Sequence, residues 1–115
     1  MCSSDLAALK AALVGMRRHT LATEAGRDAD RAFHDALLQA THNDALITLS
    51  ASIGAAVNWT TRFKQRTKAL PRDPVPDHAR VSDAVIAGDA DAAEAAMRAL
   101  VDLAFEDTRA VLAEP

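Results

Sequence analysis

The sequence predicts an all-α fold, an antiparallel bundle of about five helices, on three observations. Half of the 115 residues are apolar, yet three Phe and one Trp are the only aromatic ones. The core must therefore be aliphatic and rich in alanine, which favours helix because it loses no side-chain entropy there and lets helices approach closely. Apolar residues also recur at three- and four-residue steps along most of the chain, with no alternating pattern that would mark a strand. The length suits one compact domain spanning 1–115, with no room for two.

The first helix is expected over 5–21, where Leu6, Leu9, Leu13 and Met16 share a face and Ser4 or Asp5 can cap the start. Arg17, Arg18 and His19 fall in its last turns, where cations suit the helix dipole. Gly26 then breaks the chain, and a second helix is expected to open at about Arg27 and run to about Thr41. It carries Asp28, Arg31, Asp35, Gln39 and His42 on a solvated face and Phe33, Leu37 and Leu38 on the other. Asn43 caps a third helix that ends near Lys68, with Leu46, Leu49, Ile53, Val57, Thr60 and Phe63 along one side and Arg62, Lys64, Arg66 and Lys68 making its end basic. Trp59 on this helix reads as core or subunit interface. Three prolines between Leu70 and Asp77 make that segment a connection. His78 begins the fourth helix, which runs to about Ala87, and Gly88-Asp89 ends it and caps the last. That helix turns Ala92, Ala93, Ala96, Leu100, Leu103, Ala104 and Val111 inward.

The formal net charge of -3 provides no basic field for a phosphate backbone, so this chain is not expected to bind DNA by itself. One cysteine, Cys2, at the very start gives no disulfide framework, and the expected setting is the reducing cytoplasm. Charged residues interrupt every apolar run, so no membrane span is expected. There is no Gly-rich phosphate loop, Cys-x-x-Cys, His-Glu-x-x-His or nucleophile elbow, and the chain is not expected to be an enzyme.

Chemistry concentrates elsewhere. Asp30 and His34 are four residues apart, hence stacked one turn above the other, and their phase against Phe33 and Leu37 places both on the inward face. A carboxylate buried there without a partner would cost roughly several kcal/mol, so it must be paired, protonated or bound to a cation. His78 shares its face with Val81, Ser82 and Val85, opposite Arg80 and Asp83, and is also expected to point inward. One carboxylate and two imidazoles suit zinc, nickel, manganese or iron and leave coordination positions open. A buried Asp-His hydrogen bond with a separate core histidine would give the same spacing, so the pattern alone leaves both readings standing.

The run from Asp30 through Phe33, His34 and Leu37 to Asn43 resembles the D-x-x-F-H-x-x-L signature, then Asn, of the FCD domain, the effector domain of the FadR branch of GntR transcription regulators. The run from His78 to Asp89, followed by Ala92, Ala93, Ala96 and Met97, resembles that domain's second signature. The resemblance implies an all-helical, dimerising bundle that senses a small organic acid at a divalent metal held by Asp30, His34 and His78, with Trp59 and Arg62 as further candidates to line the effector cavity. Many members carry one more histidine at the position of Leu100, so a three-ligand site is expected here. The family's winged helix-turn-helix reader is absent from this stretch of sequence, as is its first effector-domain helix, and contact with DNA is expected only through such a missing domain. The stretch 100–108 and the lost histidine are similar to regulators of sugar-acid catabolism, such as those for galactonate. Two other classes fit the same residues: a small metal-dependent enzyme that activates water, and a dimerising helical bundle without ligand.

Overall fold

The structure, a computed structural model, describes residues 3–64 and 73–113. All regular structure among them is helical: α1 (Ser3–Arg18), α2 (Glu24–Ala40), α3 (Asp44–Thr48), α4 (Ser50–Lys64), α5 (Val75–Ile86) and α6 (Ala90–Leu112). They form two compact units, one from the start of the chain to Thr61 and one from Arg62 onward.

In the first unit α1 and α2 pack against each other. Their buried residues are Leu9, Ala12, Leu13 and Met16 on α1 and Gly26, Asp30, Phe33 and Ala36 on α2. The helices run antiparallel: Gly15, near the end of α1, lies close to Ala29 early in α2, whereas Asp5 at the start of α1 pairs with His42 just beyond α2 at 2.9 Å.

The turn between these helices corrects one expectation. Gly26 does not interrupt the chain; it lies inside the first turn of α2, which opens three residues earlier than the sequence suggested. Thr23 is the N-cap. Its hydroxyl donates to the Thr20 carbonyl at 2.8 Å and accepts from the Gly26 N–H at 3.0 Å, satisfying a helix-start donor that has no partner within the helix. Arg27 then donates to the carbonyls of Leu21 and Ala22 at 3.3 and 3.0 Å. The 20–23 turn is thereby folded onto Gly26, and a Cβ there would stand 1.8 Å from the Thr20 oxygen. Only glycine fits.

The expected third helix is two helices. Asn43 does cap its start, with its side chain accepting from Leu46 N–H at 3.2 Å. At Leu49 the N–H bonds to Leu46 three residues back, tightening the chain out of α-helix before α4 begins. Ser50 Oγ donates to Asp35, which is half-buried instead of solvated as expected. Leu46 and Leu49, expected inside, are exposed. Gly54 lies against the aliphatic stem of Arg31, whose guanidinium holds Asp28 at 2.6 Å. The expected helix end near Lys68 and the start of the proline segment fall outside the described residues, as does Cys2.

In the second unit α5 and α6 pack together across the short connection at 87–89. Gly88 takes a left-handed φ of 73°, and the Asp89 side chain accepts from Ala92 N–H at 3.0 Å to cap α6, as the sequence indicates. The buried residues are His78, Val81 and Ser82 on α5 and Leu100 on α6. Ala92, expected inward, is exposed. No described helix is long and apolar enough to cross a membrane.

Candidate metal centre

Asp30 and His34 stand where the helical spacing puts them, on the inner side of α2. The Asp30 residue is only 4% exposed, and His34 Nε2 lies 3.4 Å from Asp30 Oδ1, so the two present their ligand atoms to one point. Phe33, fully buried, meets the His34 ring edge to face, with centroids 5.7 Å apart and planes at 82°. This aromatic contact fixes the ring beside the carboxylate. A carboxylate with so little access to water must be paired, protonated or bound to a cation, and His34 Nε2 is its neighbour.

His78 belongs to the second unit. The helix carrying it starts at Val75, three residues earlier than the sequence indicated, with Pro76 in its first turn where a missing N–H costs nothing. His78 is 4% exposed, and its Nδ1 lies 2.8 Å from the Pro74 carbonyl. A carbonyl can only accept, so Nδ1 carries the proton and, in the neutral ring, the lone pair is on Nε2. A backbone carbonyl holding one imidazole nitrogen in this way is the usual means of orienting a histidine ligand toward a metal. On α2 a buried carboxylate stands beside one imidazole, and on α5 another imidazole has its Nε2 lone pair available; each is a donor type that suits a divalent cation.

Leu100, at the position where the resemblance would place a further histidine, is buried on α6 and offers no ligand atom. Trp59 and Arg62 lie on α4 and are exposed, Trp59 by 64%, which places the indole outside the core. His42 is exposed, as expected, but its φ of 53° and its pairing with Asp5 give it a structural role that periodicity does not show.

Ser82 stands on the inward face of α5, where periodicity puts it. It is 1% exposed, and its Oγ has no hydrogen-bond partner among the described residues. Leaving a hydroxyl so placed costs about 1–3 kcal/mol. The sequence put Ser82 on the inward face with His78, but a sequence does not reveal which buried hydroxyls find a partner.

Helices throughout the described residues, a buried Asp-His pair on α2 and a buried histidine on α5 agree with the all-helical domain that the two sequence signatures suggested. The FCD domain model matches residues 2–103, and the chain belongs to that family. Among curated proteins it is similar to the galactonate operon transcriptional repressor of Escherichia coli (strain K12), 33% identical over 100 residues that make up 86% of this chain and 44% of that protein. The chain therefore spans less than half the length of this relative. No solved structure matches it significantly.

Proposed function

We propose that this chain is the ligand-sensing domain of a GntR-type transcription regulator, in which Asp30, His34 and His78 together hold a divalent cation and a small organic acid, specifically a sugar acid, completes the cation's shell. The observation that carries the reading is the buried Asp30 carboxylate beside His34 Nε2, a costly arrangement that a cation turns to use. The backbone-oriented His78 supports it, and so does membership of the FCD family. The sugar-acid part is supported by the stretch 100–108 and Leu100, and by the similar repressor, which is named for galactonate.

A bound cation would supply Lewis acidity and open positions for an acid's carboxylate and hydroxyl oxygens. The chain's own residues do the rest: Asp30 offsets one of the two positive charges, Phe33 holds the His34 ring, and the Pro74 carbonyl holds His78. Trp59 and Arg62 are the further candidates for contact with the effector. An acid that binds one packing of the helices better than another shifts their balance, and attached DNA-binding domains would feel that shift. In that arrangement DNA is reached through the separate domain, in the cytoplasm, and a second copy of the chain would cover the exposed Val101, Phe105 and Leu112 of α6. The centre is read as binding and not catalytic, because the similar protein is a repressor.

Saturating zinc and galactonate test this directly. At a hundredfold excess over the dissociation constant a ligand adds about 2.7 kcal/mol to stability, which for a domain of this size is a rise of roughly 10 °C in melting temperature. An unchanged melting temperature with zinc and with a panel of organic acids would remove the proposal.

A further inference from the structure

Within the helices of this chain, hydroxyls that lack a better partner bond to the carbonyl four residues back: Thr48 to Asp44 at 2.7 Å, Thr60 to Ala56 at 2.8 Å and Thr108 to Ala104 at 2.9 Å. Ser82 does not. Its hydroxyl is nearly sealed from water and forgoes even the local carbonyl of His78. An alanine or valine would fill an inward position of α5 without that penalty, so the unmet hydroxyl is a buried polar group with hydrogen-bonding capacity to spare. His78 lies one turn before Ser82 on the same buried face, at the spacing that makes helix side chains neighbours. The His78 ring and the Ser82 hydroxyl therefore border the same stretch of α5.

We propose that Ser82 is a specificity-determining residue: its hydroxyl hydrogen-bonds a hydroxyl of the organic acid bound at the His78 cation, selecting polyhydroxylated acids over alkyl acids of the same length. The proposal rests on the metal reading above. A serine hydroxyl can donate and accept at once, as a sugar hydroxyl can, so either orientation of the ligand group is met. A methylene placed there instead leaves the buried oxygen unmet, which is how sites built around a hydrogen bond reject analogues that lack it.

Calorimetric titration of the full chain separates the two ideas. Zinc alone is titrated first into wild type and Ser82→Ala. Galactonate and 2-hydroxyhexanoate are then titrated into the zinc-loaded proteins; both acids offer a chelating carboxylate and 2-hydroxyl, but the second lacks the remaining hydroxyls. The expected result is equal zinc affinity in both proteins, galactonate weakened about tenfold or more by Ser82→Ala, and 2-hydroxyhexanoate unchanged or tighter. Without ligand, Ser82→Ala should melt at the same temperature as wild type or higher. Equal galactonate affinity in the two proteins, a parallel loss for both acids, or a lower melting temperature of ligand-free Ser82→Ala would each overturn the role of Ser82. Failure of wild type to take up zinc would overturn the metal reading on which it depends.

Discussion

Phe33→Ala is expected to lower the unfolding free energy by about 3–5 kcal/mol, a large part of the 5–15 kcal/mol typical of a whole domain. Phe33 is fully buried on the face of α2 that packs toward α1, so truncation leaves a ring-sized cavity among side chains that cannot all collapse into it. The variant has a second expected effect. The ring is also the edge-to-face neighbour of His34, and its loss frees the imidazole to turn away from Asp30. Urea unfolding of the variant should therefore show the loss with an unchanged denaturant slope, and its zinc affinity should fall as well. Phe33→Leu, which keeps most of the volume, should retain much more of both. A loss below about 1 kcal/mol for the alanine variant, the scale of a surface change, would contradict the packing described for α1 and α2.

Gly26→Ala is expected to cost about 3 kcal/mol, at the upper end of overpacking effects. Helix propensity alone points the other way, since glycine inside a helix is about 1 kcal/mol worse than alanine. Sterics decide the sign. The new Cβ would stand 1.8 Å from the Thr20 oxygen and 2.4 Å from its carbon, and both are backbone atoms that no rotamer change can move aside. Relieving the clash means lifting the 20–23 turn off α2, which breaks the Thr23 cap and the Arg27 bonds to Leu21 and Ala22. Thermal melting checks this: a drop of more than about 10 °C is expected for this magnitude, and a neutral or raised melting temperature would mean the turn is held differently.

The same turn shows what the sequence could and could not convey. Gly26 reads as a breaker in the sequence, yet Thr23 three residues earlier supplies the cap that starts α2 around it. A Glu at position 26 would have completed a recognisable capping box; glycine there conceals the helix start. Apolar residues keep their phase from Leu46 to Phe63 and so predict one long third helix, but phase says nothing about a local tightening at Leu49. Once the chain breaks there, the face predicted for Leu46 and Leu49 no longer matches that of α4, and both are exposed. Unbroken patterns make the buried positions legible, and the stripe of Leu9, Leu13 and Met16 and the Gly88-Asp89 stop and cap are where periodicity and capping chemistry place them, whereas α1 ends at Arg18 instead of Leu21 and α5 starts at Val75 instead of His78.

For the candidate site, local geometry was readable and long-range partnership was not. The four-residue spacing of Asp30 and His34 requires that they meet, and burial of Asp30 follows from its phase against Phe33. That His78 shares their cation follows from no periodicity, because the two stretches are more than forty residues apart in the sequence; the family signature suggested it, and it stands as part of the proposal. The Pro74 carbonyl that sets the His78 tautomer is a turn-level detail, legible only once Val75 is seen to start the helix.

Metal content of the purified chain, produced without a metal-affinity tag and compared with His34→Ala and His78→Ala, tests the central claim most directly. The account predicts near-stoichiometric divalent metal in the wild-type chain and its loss in both variants, each of which removes one ligand from a three-ligand site. Absence of metal from all three samples would contradict it and leave Asp30 and His34 as a buried hydrogen-bonded pair within a helical scaffold.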